Sequence, residues 1–153
     1  MPVIVIGADT RLGPAVVDGL LPRDGEVRVF VTDDAAADAY RTLGVKVAIG
    51  DVSDGSHVGG AALNAFSAVL MAEAAVDDRL RSFAEDAEAV MDAWAEGLED
   101  AGVRRAIFVA TAAVPTPSEP LAAATPEFVV VDPDPDPAVA ASRIAELDDA
   151  RAL

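Results

Sequence analysis

Short apolar runs and longer amphipathic stretches take turns along the chain. Val3-Ile4-Val5-Ile6 is four consecutive β-branched residues, the pattern of a buried strand. After a loop from Gly7 to Gly13, the apolar positions Leu12, Val16, Val17, Leu20 and Leu21 recur at helical spacing. Val27 to Thr32 reads as a second strand closing on Asp33-Asp34. A short helix from Ala35 to Leu43, ended by Gly44, leads into a third strand over Val45 to Ile49. A short helix over 57–64 then precedes strand four, Ala68 to Met71. The spacing of Phe83, Ala87, Val90, Met91, Trp94 and Leu98 predicts the longest helix, over 78–100, capped by Ala101-Gly102. Arg105 to Ala110 is strand five. The remainder reads as a Pro/Ala/Thr loop over 112–126, a sixth strand at Phe128 to Val131, an Asp/Pro connector and a helix over 138–150.

Strand-helix units repeated five times predict one α/β domain over residues 1–153, a doubly wound parallel sheet covered on both faces. The natural strand order is 3-2-1-4-5, with the sixth strand beyond and ligand expected at the carboxyl ends near the switch between strands one and four. Residues 1–33 carry a strand, a glycine loop, a helix, a second strand and a terminal acid in the order of the dinucleotide-binding fingerprint. Gly7 permits a sharp turn off the strand, and Gly13 permits close packing of the helix. Backbone N–H groups at the helix start then face a phosphate, aided by the helix dipole. Thr10 replaces the middle glycine of the usual pattern. Its Cβ crowds the pyrophosphate path, while its hydroxyl offers a hydrogen bond, so a competent cradle and a turn that keeps only the shape both remain open.

Composition narrows the partners. Twenty-seven acidic against 11 basic residues give a formal charge of −16, which repels nucleic acid and anionic membranes, so neither is expected as a partner. No apolar run approaches a membrane span, and no signal peptide is read at the start, leaving a cytoplasmic location as the expectation. With no cysteine, disulfides and thiolate chemistry are excluded.

Three segments together resemble a known family: the loop Gly7-Ala8-Asp9-Thr10-Arg11-Leu12-Gly13, the turn Gly50-Asp51-Val52-x-Asp54, and Gly102 to Thr111. In order and spacing they are similar to the atypical and extended short-chain dehydrogenase/reductases, nearest the NmrA-like NAD(P)-binding branch with its Rossmann-like domain. The resemblance implies a dinucleotide on the loop residues Gly7, Asp9, Thr10, Arg11, Leu12 and Gly13. It also implies Asp51 on the adenine, Val52 lining the base, Ala72 after strand four, and Thr32-Asp33 at the adenosine ribose. Many relatives carry an arginine there for a 2′-phosphate. A carboxylate accepts from a ribose 2′-hydroxyl and repels a 2′-phosphate, so NAD(H) is expected over NADP(H). The family's reductive chemistry uses a Tyr-x-x-x-Lys pair with an orienting Ser/Thr. Thr111 holds the Ser/Thr position and is the one catalytic candidate, but the single Tyr40 and single Lys46 are six apart and upstream. A binding or sensory protein without catalysis is therefore expected. An oxidoreductase or isomerase using Thr111, a remnant that binds nothing, and a nucleotide-sensing domain like those of potassium-transport regulators are the alternatives. In the resembled family the long helix often pairs with its copy, and Ala84 and Ala95 would permit this, so a homodimer is expected.

No metal site is expected. His57 with Asp51 and Asp54 reads as a capped helix start, and Asp132, Asp134 and Asp136 alternating with prolines read as a stiff acidic connector without the glycine turn or distal Glu of a calcium loop.

Overall fold

The computed structural model describes residues 1–132 and 134–153. Six parallel strands, β1 (Val3–Ile6), β2 (Val27–Val31), β3 (Lys46–Ile49), β4 (Ser67–Met71), β5 (Arg105–Val109) and β6 (Glu127–Val131), form one sheet in the order β3-β2-β1-β4-β5-β6. The expected order is observed, and the sixth strand pairs beside β5, with Ile107 level with Val129. Helices α1 (Gly13–Leu20), α2 (Asp34–Thr42), α3 (Gly55–Ala62), α4 (Ala87–Ala101), α5 (Glu119–Ala123) and α6 (Pro137–Asp149) cover the two faces.

Alternation along the strands sets the layers. Val3 and Val5 point to the face where α1, α2 and α6 bury Val16, Val17, Leu20, Tyr40 and Ile144. Ile4 and Ile6 point to the opposite face, packed by Val58, Trp94, Leu98 and Leu121 of α3, α4 and α5. Short polar side chains cap the helices: Asp33, Asp54, Asp86, Ser118 and Asp136 each accept from a backbone N–H in the first turn of α2 to α6. Among the described residues α1 has no side-chain cap; Leu12 stands at that position.

Helix α4 begins at Ala87, not at residue 78, because the Asp86 carboxylate accepts from Ala89 N–H at 2.9 Å and starts the helix there. Val90, Met91, Trp94 and Leu98 form the expected buried stripe, with Trp94 Nε1 donating to Val52 O at 2.9 Å. Phe83 does not belong to it: residues 76–86 are irregular and Phe83 is 69% exposed. Ala95, assigned from sequence to a free face, is buried within the single chain. Helices α3 and α4 meet backbone to backbone, since a Cβ on Gly59 would stand 3.0 Å from Gly97 O. The loop over 112–126 contains the short helix α5. Arg105 is buried at 1% exposure and donates to Leu147 O and Asp148 O at 2.9 and 2.8 Å, tying the end of α6 to β5. None of the described helices is long and apolar enough to cross a membrane.

Candidate functional site

The carboxyl ends of β1, β2, β3 and β4 converge where the fold expects a ligand. Gly7 leaves β1 with φ +82°, a left-handed conformation, and a Cβ on it would stand 2.7 Å from that of Ala74. Gly13 opens α1 directly over the loop, where a Cβ would lie 2.1 Å from Ala8 O. Both glycines are thus required by geometry.

Thr10 is turned inward. It is 4% exposed, and its hydroxyl donates to Gly7 O at 2.8 Å, so it braces the turn rather than offering a bond outward. The N–H groups of Thr10 and Gly13 close the loop on Gly7 O and Thr10 O. Those of Arg11 and Leu12 have no hydrogen-bond partner among the described residues, and they lie just ahead of α1, Leu12 as its N-cap residue. Arg11 is exposed beside them. A cavity of about 360 Å³ opens there between Arg11, Leu12, Asp134, Pro135 and Pro137. Two free N–H groups, a helix N-terminus and a guanidinium suit a phosphate, and the pyrophosphate half of a dinucleotide fits these residues.

The adenosine side is differently arranged. Asp9, a loop residue in sequence, is 6% exposed at its side chain; its Oδ2 accepts from Thr32 N–H (2.8 Å) and Asp33 N–H (3.0 Å), pinning the end of β2 to the loop. Its Oδ1 accepts from Arg79 Nη1 at 2.8 Å, and the same nitrogen lies 3.3 Å from Thr32 Oγ1. Arg79 in turn forks onto Asp77, with Nε and Nη2 both at 2.7 Å from its two oxygens. Burial alone would lower the Arg79 pKa, but Asp77 and Asp9 together raise it above its ordinary value. Burial pushes Asp77 up, yet the bonds and charge of Arg79 hold it below the usual carboxylate range. Asp33 spends one oxygen on capping α2 at Ala36 N–H and is otherwise exposed.

Asp51 follows β3 as expected, and its carboxylate accepts from Ser53 N–H (2.8 Å) and, across the cleft, from Ser82 N–H (2.7 Å). Burial would raise its pKa; the bonds from Ser53 and Ser82 hold it below the ordinary value. Val52 is fully buried, with its carbonyl on Trp94, so its side chain belongs to the core. Ala72 is likewise fully buried, at the start of a 3-10 turn after β4. Thr111 follows β5, and its hydroxyl oxygen accepts from Val114 N–H at 3.0 Å in a local turn.

Tyr40 stands apart from Thr111. On α2, its hydroxyl donates to Ala8 O at 2.6 Å, and burial, with Asp9 and Asp18, pushes its pKa up to about 12. Lys46 sits at the start of β3 and pairs with Glu26 at 2.7 Å, at the amino end of the sheet. His57 packs edge-on against Phe30, with ring centroids 5.1 Å apart, while its N–H donates to the Asp54 cap. In the acidic connector Asp134 accepts from Asp136 N–H, and Pro133 lies outside the described residues.

Hydrogen bonds thus tie Asp9 of the Gly7–Gly13 loop to Thr32, Asp33 and Arg79, and Asp51 to Ser82; Arg79 and Ser82 fall within the helix predicted over 78–100 but lie in the irregular segment before α4. The one signal was the alternation Asp77-x-Arg79-x-Arg81, whose period of two suits an extended segment.

The profile of the NAD(P)H-binding family matches residues 7–142. No curated protein matches the chain. Among solved structures, an anaerobillin reductase, ChuY, from Escherichia coli O157:H7 is 18% identical with a TM-score of 0.67, covering 99% of this chain and 92% of its own. Triphenylmethane reductase from Citrobacter sp., complexed with NADP(H), is 17% identical with a TM-score of 0.60 over 95% of this chain. The NADPH-dependent quinone oxidoreductase QOR2 from Escherichia coli, complexed with NADPH, is 18% identical with a TM-score of 0.58 over 71% of this chain. The chain spans 46% and 36% of the lengths of these last two. At these identities the likeness is one of fold.

Proposed function

The chain belongs to the NAD(P)H-binding family, and from that premise we propose that it holds NAD(H) in preference to NADP(H) and does not itself catalyse hydride transfer. The N–H groups of Arg11 and Leu12 hold the pyrophosphate, with the Arg11 guanidinium supplying positive charge against a strongly acidic surface. Asp9, Asp33 and Asp51 surround the adenosine side, where acceptor oxygens suit ribose hydroxyls and repel a 2′-phosphate. A bound nicotinamide supplies a hydride donor or acceptor; the chain supplies binding and orientation.

The single observation that carries the non-catalytic reading is the placement of Tyr40. A general acid works best with a pKa near the operating pH. Tyr40 is raised to about 12, hydrogen-bonded to Ala8 O, and β4 lies between the β1 loop it touches and β5, which Thr111 follows. Thr111 alone closes its own turn. With no proton donor assembled beside it among the described residues, occupancy rather than turnover is the output.

Calorimetric titration of the purified chain with NADH, NAD⁺ and NADPH tests this reading. Saturation by NADH at micromolar to submillimolar concentration, with NADPH at least tenfold weaker, is the expected result. Silence with all three at millimolar ligand would overturn the proposal, and tighter NADPH binding would overturn the preference.

A further inference from the structure

Residues 76–86 cross the cleft between the 3-10 turn and α4 with no regular structure of their own. Ala84 packs on the core beside α4, and the remaining inward contacts are polar, those of Arg79 and Ser82 going to groups assigned to the adenosine. Arg79 reaches Asp9 at 2.8 Å and Thr32 Oγ1 at 3.3 Å; Ser82 N–H reaches Asp51 at 2.7 Å; Phe83 N–H reaches Ser53 Oγ at 3.0 Å. The guanidinium of Arg79 is 8% exposed, filling the corner where the loop after β1 meets the end of β2. Outward, the same segment leaves Leu80 and Phe83 at 74% and 69% exposure, so no apolar burial holds these two side chains down. Arg81 braces the near end, donating to Ala74 O at 3.1 Å and to Asp77.

We propose that residues 76–86 are an intramolecular strap that occupies the adenosine half of the cleft and must lift for the dinucleotide to bind. The inference rests on the NAD(H)-binding reading above. Its physical content is competition: Asp9, Thr32 and Asp51 cannot serve Arg79 and Ser82 and also an adenosine. The contacts of Arg79 and Ser82 are an ion pair and a hydrogen bond whose acceptor oxygens a ligand's hydroxyls and amino group can use instead, while Ala84, next to α4, packs on the apolar core and anchors the far end of the segment. The apparent affinity of the chain is then its intrinsic affinity reduced by the fraction of open strap. Arg79 regulates access by holding that fraction low, and the pyrophosphate half, at Arg11 and Leu12, remains open for first contact.

Two measurements on the full chain test the strap. NADH affinity is compared between the wild type and Arg79→Ala, and amide hydrogen exchange of residues 79–83 is followed in the wild type with and without saturating NADH. The strap predicts roughly tenfold or greater tightening in Arg79→Ala, and faster exchange when NADH is bound at Ser82, whose acceptor Asp51 is taken over, and at its neighbour Phe83, which lifts with it. Equal or weaker binding by a folded Arg79→Ala, or exchange at 79–83 that slows on NADH addition, would show Arg79 to be a ligand of the nucleotide or a mere brace and would overturn the strap while leaving the NAD(H) reading intact. If Arg79→Ala does not fold, the wild-type exchange decides alone. Failure of both proteins to bind NADH at millimolar concentration would overturn the NAD(H) reading and the strap with it.

Discussion

Replacing Gly13 by alanine tests the cradle at its tightest point. The added Cβ would lie 2.1 Å from Ala8 O and 2.5 Å from Ala8 C, and both are backbone atoms with no rotamer to change. Ordinary contact begins near 3.4 Å, so the start of α1 must retreat from the loop by more than ~1 Å, and overpacking against backbone belongs at or beyond the upper end of the usual 1–3 kcal/mol. A cost of about 3 kcal/mol corresponds to a loss of roughly 6–12 °C in Tm for a chain of this size. The same retreat moves the Arg11 and Leu12 N–H groups, so NADH affinity is expected to fall at least tenfold in whatever remains folded. Gly60→Ala provides the control: Gly60 lies within α3 with nothing inside 4 Å of its would-be Cβ, and alanine there is expected to stabilise by about 0.5–1 kcal/mol through helix propensity. Thermal and denaturant unfolding of both variants, followed by calorimetry with NADH, supplies the comparison. A Gly13→Ala protein that melts with the wild type and binds NADH equally would refute the close approach of helix and loop from which the phosphate site is derived.

Tyr40 carries a raised pKa, so its protonated form is favoured by folding; that stability is fully present below the unfolded value near 10 and is lost as pH rises through about 12. Tyr40→Phe is expected to cost about 1 kcal/mol by leaving Ala8 O without its donor, and to flatten the alkaline loss in a pH series of melts. Asp51 and Asp77 are both held below their ordinary values, so their contributions are present above the unfolded pKa near 4 and disappear as pH falls through the folded values; acid unfolding below about pH 4 should become less steep in Asp77→Asn. Arg105→Ala strips the end of α6 of two donated bonds and leaves Glu127 without its 2.6 Å partner; a loss of about 3 kcal/mol is expected from denaturant midpoints, with hydrogen exchange showing α6 the first element to open.

The architecture was legible because the strands are compact apolar runs and the starts of α2 to α6 carry Asp or Ser at the cap. Val3 to Ile6, Val27 to Val31 and Arg105 to Val109 announce themselves as buried strands, and the glycine loop is fixed by its place between β1 and α1. Helical spacing misled at Phe83, where one aromatic fell in phase with the Val90–Trp94–Leu98 stripe although the Asp86 cap lies between them. The local loop sequence held no sign that Thr10 would bond Gly7 O instead of facing outward; that choice depends on a hydroxyl rotamer inside a tight turn. The partners of Arg79 were hidden for a different reason: Asp9 and Thr32 lie 70 and 47 residues away in sequence, and only the sheet order brings them to it. Ala95 looked free because sequence periodicity shows an apolar face but does not reveal that a second helix covers the other side.

The most direct measurement of the central claim is a backbone amide NMR titration of the ¹⁵N-labelled chain with NADH. Binding at the fingerprint loop predicts saturable shifts concentrated at Arg11, Leu12 and Gly13, where the loop enters α1, with smaller changes at Thr32 and Asp33. Amides of the loop that stay unmoved at millimolar NADH, or shifts confined to a surface remote from the ends of β1 and β2, would contradict it.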